Sequence, residues 1–468
     1  MLAVHTIGAD DAVLHLAART GFRAVVQLLE WRQVEPAPGE HYWEYPDFLV
    51  QACEHYGLSL VLRLDHPPDW ALRPGESPPL DVAAYGAFVE RVARRYRGRV
   101  RAYIIWNEPN LALEWNGQTP DPQGYAELLQ VGTQAVRIGD PAALVVAAGL
   151  APTNQNDREA VSDLSFLRAL YPLGERPIWD AQAVHPYGFA HPPDAAADHD
   201  GLVFARLAVW RRILAEQGSP HLPLWVTEFG WTVGPASPQD AWQLVSPELQ
   251  ARYLASAVAM VRRALPSVEF LAVWNLAPAL AADDPMSGYG LVAPDGQARP
   301  ALVALNQQMP LRWSRLTRAL SGLAKQLFAN SDEVQVLALD APVRLSDTAT
   351  AYVHWAKPYG GTAPARSWEA TFYLDAPGSN RWDLVMETMQ LEERANFVYL
   401  NGERLAAIPV TGKTPFASVW TTVHLEVPPG MLRSGANRLR VELSPRLRTQ
   451  QDVRYESVQL RNVRLIRR

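Results

Sequence analysis

Eight times between residues 2 and 310 a short apolar, largely β-branched run gives way to a loop and then to an amphipathic stretch of helical length. The runs fall at 2–6, 24–29, 58–64, 101–106, 144–149, 179–184, 223–227 and 270–274. Helix patterns follow at 11–19, 45–55, 82–96, 122–138, 163–171, 202–217, 246–265 and 300–307. Asp81 and Ser246 stand where helix N-caps belong, the latter with Pro247 at the first helical position. Gly57 and Gly218 stand where helices end. Strands alternating with helices in this way lie parallel, and eight such units close most economically into a (β/α)8 barrel. An open doubly wound sheet would bring a Gly-rich phosphate turn after its first strand, and none is present. The region is longer than the ~250 residues typical of the barrel, and the surplus lies in loops after strands: 65–80, 109–121, 186–201, 230–245 and 277–299.

Beyond residue 309 the pattern changes. Residues 310–330 form a Leu stripe (Leu316, Leu320, Leu323, Leu327) flanked by Arg and Lys, which predicts a connecting helix. From 331 to 468 short alternating runs at 366–374, 381–387, 396–400, 419–427, 437–443 and 457–466 predict a β-sandwich of jelly-roll type, with Asn401-Gly402 as a tight hairpin turn. The predicted organisation is therefore a catalytic barrel over 1–309, a connecting helix and a sandwich.

The composition, 48% apolar and 20% charged, is that of a globular protein. A net charge of −6 offers no field for nucleic acid. A single cysteine, Cys53, excludes an internal disulfide and a Cys-rich metal site. No stretch reaches the ~18 apolar residues of a membrane span. Met1 is followed directly by the first strand, with neither a charged leader nor a long apolar segment. The expectation is a cytoplasmic protein, or a secreted one whose leader precedes this sequence. Nothing specifies an oligomer.

Two strand ends carry the chemistry. Trp106-Asn107-Glu108-Pro109-Asn110 ends the fourth run, and Trp225-Val226-Thr227-Glu228-Phe229-Gly230-Trp231 ends the seventh. Active sites of barrels are built at the carboxyl ends of the strands. Strands four and seven lie nearly opposite across the mouth, so two glutamates reaching inward can face each other at about 5 Å, the separation of a retaining glycosidase pair. A glycosidic oxygen must be protonated as it leaves while the anomeric carbon is trapped from the other face, which calls for one protonated and one ionised carboxyl. Asn107 is placed to hydrogen-bond a sugar 2-hydroxyl. Trp31, Trp70, Trp115 and Trp231 sit in loops at the same face, where a ring can stack on the apolar face of a sugar or fill a loop core. His66, beside Asp65 and Asp69, is either a hydrogen bond to the substrate or a loop histidine held by those acids. The cluster Asp194–Asp200 with His191 and His199 has no metal-site spacing and is read as a solvated loop. No metal or organic cofactor is implied.

These segments resemble the two active-site signatures of clan A glycoside hydrolases. That likeness implies Glu108 as acid/base and Glu228 as nucleophile. Trp31-Arg-Gln-Val-Glu35-Pro36 with Gly39-Glu-His-Tyr42-Trp43, and Tyr289-Gly-Leu-Val-Ala-Pro-Asp295-Gly296 with Arg299-Pro300-Ala301, resemble glycoside hydrolase family 39 and its neighbours. By the same resemblance His185-Pro-Tyr187 on strand six would touch the nucleophile, and Trp274 on strand eight would floor the subsite of the cleaved sugar. Clan members often carry an Arg on strand two that bonds the nucleophile. Here the register puts Val26 there, with Arg63 on strand three as the substitute. Residues 396–402 and 427–441 resemble the galactose-binding-like jelly rolls appended to many glycosidases, in which Trp355, Trp368, Trp382 and Trp420 could bind carbohydrate or fill the core. The resemblance implies hydrolysis of an oligo- or polysaccharide by double displacement; a xyloside, glucoside, galactoside or exopolysaccharide fits equally. Transglycosylation would use the same glutamates. A non-catalytic carbohydrate-binding barrel is the alternative from another class.

Overall fold

In the computed structural model all eight apolar runs are strands: β1 (Leu2–Thr6), β2 (Ala24–Glu30), β3 (Ser59–Asp65), β4 (Ala102–Ile105), β5 (Leu144–Ala147), β6 (Ala181–Val184), β7 (Leu224–Val226) and β8 (Val268–Val273). They pair in parallel in chain order, and β8 returns to β1 to close the barrel. The structure describes residues 1–171, 177–197, 201–276, 283–294 and 297–308, then 334–336, 343–345, 350–351, 359–360, 367–374, 381–389, 396–408, 421–442 and 458–467. The helix expected over 310–330 lies outside these residues, as do 198–200 of the acidic loop, Trp355, Trp420 and the side chain of Trp368.

The barrel interior is filled by size complementarity. Small residues (Ala3, Ala24, Ala102, Ala181, Ala183 and Ala272) leave room for two large rings, Trp225 and Phe270, which stack 4.4 Å apart at 13°. Val26, Val61, Ile104 and Val146 complete this dry layer. Filling the lower barrel pushes polar inward-facing residues to the strand ends, where the mouth opens.

The helices α1 (Asp11–Thr20), α2 (Trp31–Val34), α3 (Glu44–His55), α4 (Val82–Arg95), α5 (Pro122–Gly139), α6 (Asp163–Leu170), α7 (Leu207–Glu216), α8 (Pro247–Ala264) and α9 (Pro300–Gln307) alternate with the strands. Asp81 accepts from Ala84 N at 2.9 Å and Ser246 from Leu249 N at 3.2 Å, so both cap as their sequence positions indicate. Gly57 and Gly218 take left-handed φ of +66° and +82°. Two local features depart from the sequence pattern. The one-turn α2 follows β2 directly. The stretch expected to be helical from 202 becomes α-helix only at Leu207, after a 3-10 turn over Phe204–Arg206. Buried Arg206 is held there by Asp163, at 2.9 and 2.7 Å.

Residues 310–468 form a second compact unit. Its strands are β9 (Val334–Val336), β10 (Val343–Leu345), β11 (Thr350–Ala351), β12 (Tyr359–Gly360), β13 (Ser367–Leu374), β14 (Trp382–Met389), β15 (Asn396–Leu400), β16 (Glu403–Ile408), β17 (Thr421–Val427), β18 (Gly435–Glu442) and β19 (Val458–Arg467). One antiparallel sheet runs β10-β19-β14-β17 with β9 also on β19; a second runs β13-β18-β15-β16; β11 and β12 pair with each other. Alternate residues of both sheets meet in one core, including Leu384, Met386, Val423, Val398, Leu439 and Val441. Trp382 belongs to that core and is 3% exposed, which removes it from the tryptophans offered for sugar binding. Asn401 and Gly402, at φ +54° and +90°, turn β15 into β16.

Candidate active site

The mouth of the barrel gathers its ionisable residues from the ends of β1, β3, β4, β6 and β7. Glu108 follows β4 after a backbone that twice enters the left-handed region, at Trp106 (φ +74°) and Glu108 itself (φ +39°). Such conformations cost of order 1–3 kcal/mol each and persist only where surroundings hold them. Here Glu108 N donates to Gly149 O at 2.9 Å and Glu108 O accepts from Leu111 N at 3.0 Å. Glu228 follows β7 and is 6% exposed. A carboxylate oxygen of Glu108, one of Glu228 and a ring nitrogen of His185 lie within 4.8 Å of one another.

The two carboxylates have different partners. Glu228 Oε1 accepts from Arg63 Nη1 at 2.8 Å, and Oε2 accepts from the Tyr187 hydroxyl at 2.8 Å. Burial pushes Glu228 above the usual carboxylate range, and Glu108 adds to this; His185, Arg63 and the Tyr187 bond oppose the rise. Burial and the nearby Glu228 hold the Tyr187 hydroxyl well above its ordinary value, so it stays a donor. Glu108 Oε1 lies 2.7 Å from His185 Nδ1, while His185 Nε2 lies 3.0 Å from Thr227 Oγ1. Burial alone would lower the His185 pKa, but the charge of Glu228 and the bond to Glu108 outweigh it, and the net shift is upward. The ring is wedged against Gly149, where a Cβ would stand 2.1 Å from Nε2. Any side chain at 149 would displace it.

Arg63, at the end of β3, joins the site to its rim. Besides Glu228 it donates to Asn107 Oδ1 at 3.0 Å, leaving the Asn107 amide N–H groups for a ligand, and its Nε lies 2.9 Å from Asp65. Asp65 in turn lies 2.5 Å from His66 Nδ1. Asp65 chiefly raises the His66 pKa against burial. The His66 side chain remains 32% exposed at φ +53°, so it is both held by its acidic neighbour and open to the mouth. The β2 residue level with Arg63 is Leu28, whereas Val26 pairs with Val61 in the apolar layer below; the charge β2 brings to the mouth is Glu30 at its end, which pairs in register with Asp65 and adds to the upward shift of His66.

The aromatic residues separate into two groups. Trp274, half-buried, lies 4.4 Å from the His5 ring and at the mouth. Trp31, Trp115 and Trp231, expected as candidates for sugar stacking, are 0%, 1% and 0% exposed and present no face to a ligand. Trp31 stacks on Phe88 and donates to Glu35 Oε2 at 3.1 Å. Trp115 packs edge-on against Trp106 and Tyr125. Trp231 packs against Phe204, Phe229 and Tyr253 and donates to His191 O at 2.8 Å. Each anchors a long loop by filling its core. Trp70 is half-buried and donates to Glu35 O at 3.2 Å.

The structure adds residues that the motifs did not single out. His5, at the end of β1, places Nε2 3.7 Å from Glu228 Oε1. Burial, with Arg63 and His185 nearby, holds its pKa well below the usual value, so this is a contact of a neutral ring, not an ion pair. Thr227 and Gly149 fix His185. Glu108, His185 and Glu228 are close enough to surround a cation; the Arg63 guanidinium already bonded to Glu228 supplies positive charge there and opposes a second cation.

No family model and no curated protein sequence matches the chain. Among solved structures, a family 39 glycoside hydrolase from Bacteroides cellulosilyticus WH2 is similar over 95% of this chain and 80% of its own, at TM-score 0.52 and 16% identity, and the two share a fold. A GH5 protein from Streptomyces cattleya (TM-score 0.49, 18% identity, 66% of this chain and 79% of its own) and a GH10 endoxylanase from a sugarcane soil metagenome (0.48, 16%, 66% and 96%) also match.

Proposed function

We propose that this protein is a retaining glycoside hydrolase in which Glu228 is the nucleophile and Glu108 the general acid/base. The observation that carries the reading is the approach of two carboxylates within 4.8 Å across the mouth of a closed barrel, near the ~5–5.5 Å that leaves no room for a water between them. Two such groups share one negative charge best when it rests on the partner with more charge-stabilising donors. Glu228 accepts from a guanidinium and a phenol, whereas the Glu108 carboxylate meets one imidazole. Glu228 therefore attacks the anomeric carbon as the glycosidic C–O bond breaks, and the leaving oxygen takes the proton of Glu108. Water then attacks the glycosyl ester. Glu108 accepts the water's proton, and the ester bond to Glu228 breaks, so the sugar leaves with its original anomeric configuration.

His185 would hold Glu108 in line, Tyr187 and Arg63 would hold Glu228, Asn107 would meet the 2-hydroxyl, and Trp274 would floor the cleaved sugar. The fold shared with a family 39 hydrolase supports this reading. NMR of the first-formed product from an aryl glycoside tests it: retention is expected, and inversion overturns the pairing. Glu228→Gln should abolish turnover while sugar binding persists. Glu108→Ala should lose far more rate on an alkyl glycoside than on a dinitrophenyl glycoside, whose leaving oxygen needs no proton.

A further inference from the structure

The loops after β6 and β7 carry two aromatic side chains that the hydrolytic step does not use. Trp242, in the 3-10 turn Ala241–Gln243, is 56% exposed, in contrast to the buried tryptophans of the same face. Its ring lies 5.2 Å from that of Phe189, with the planes 32° apart. Both rings are carried on fixed backbone. Phe189 sits at φ +50°, a conformation rare for a residue with a side chain. Its neighbour Gly188 lies so close to Trp231 that a Cβ would stand 2.4 Å from the indole. On the other loop, Val245 N donates to Thr232 O at 3.0 Å and Val233 N to Gly288 O at 3.2 Å, tying the base of the Trp242 turn to the loop after β8. Phe189 stands close in the chain to the proposed site. Tyr187, which bonds Glu228, is two residues from Phe189, a span of at most about 7 Å, and Tyr289 packs on Tyr187 at 5.5 Å.

Segments 186–197 and 231–246 contain no Lys or Arg; their only carboxylates are Asp194 and Asp240. A uronate or sulfated sugar would find no cation there. The apolar C–H face of a neutral sugar needs none and matches an exposed indole.

We infer that Trp242 and Phe189 form a stacking platform for an uncharged sugar unit beyond the one whose bond is cleaved, so that the protein is built for oligosaccharides. This rests on the glycosidase reading of the neighbouring carboxylates. The test compares kcat/KM of the wild type, Trp242→Ala, Trp242→Phe and Leu113→Ala on an aryl monoglycoside and on xylo-, cello-, manno- and galacto-oligosaccharides of two to six units. Leu113 is 86% exposed on the loop after β4 and serves as the control. The loss in Trp242→Ala should exceed that on the monoglycoside by about three- to tenfold on the longer oligosaccharides, mainly through KM. Trp242→Phe should recover most of it, and Leu113→Ala should show no dependence on length. A loss independent of length, or no loss, overturns the platform. If the wild type releases no sugar from any glycoside, the hydrolase reading falls, and binding judges the platform separately. A saturable change in tryptophan emission with neutral hexasaccharides that disappears in Trp242→Ala supports it; no such change in the wild type, or tighter binding of oligogalacturonate, overturns it.

Discussion

Arg63 neutralises two buried carboxylates at once, Glu228 at 2.8 Å and Asp65 at 2.9 Å. Removing it leaves buried Asp65 with His66 alone and buried Glu228 without its guanidinium; breaking a buried pair typically costs about 3–5 kcal/mol. Arg63→Met should lower the urea midpoint accordingly. Because the guanidinium favours ionised Glu228, its loss raises that pKa further. The acidic limb of kcat/KM should move to higher pH, and a limb unmoved in a folded variant would separate Arg63 from the nucleophile. Gly149→Ala should lower kcat at least tenfold with little change in KM, since a methyl group cannot share space with His185 Nε2. His66 gives a prediction of opposite sign. Its folded pKa is raised, so the stability it contributes is complete below about 6.5 and fades as pH rises through the folded value. NMR titration should find that value above 6.5 and find it lowered in Asp65→Asn. At this scale the sequence revealed much of what the site contains, because Glu108 and Glu228 close strands four and seven and a strand end is readable from pattern alone. It could not reveal that Gly149 is a contact surface or that neutral His5 faces Glu228, since both depend on which strands meet. Which of their two roles Trp31, Trp115 and Trp231 take is illegible for a related reason: an indole in a rim loop has the same pattern whether it faces the cleft or lies beneath it.

Helix boundaries follow local chemistry, and there the sequence served well. Ser246 with Pro247, and Asp81, start helices because a side-chain oxygen takes an otherwise unpaired N–H. Ser246→Ala should lower stability by about 1 kcal/mol, measured by urea unfolding, without changing kcat/KM. The one-turn α2 and the 3-10 turn before α7 carry no local signature because they are set by tertiary partners, Phe88 against Trp31 and Asp163 against Arg206. The turn that carries Trp242 was equally hidden within a loop of ordinary polar composition.

Over the whole molecule, the alternation of eight strands and eight helices made the closed barrel legible, and the change of period near residue 331 made the sandwich legible. What could not be read was the allocation of volume inside the ring, where six alanines make way for Trp225 and Phe270. Phe270→Ala should therefore cost about 3–5 kcal/mol, seen as a lowered urea midpoint, although the residue lies well below the mouth. Closure itself has a further consequence. The paired acids follow β4 and β7, and nothing local to either strand brings them together; the run β4-β5-β6-β7 on one side and the closure through β8 and β1 on the other hold the gap between them. Turnover should thus act as a gauge of that circuit: a species that loses only the β8–β1 seam would keep every residue of the centre and yet turn over more slowly.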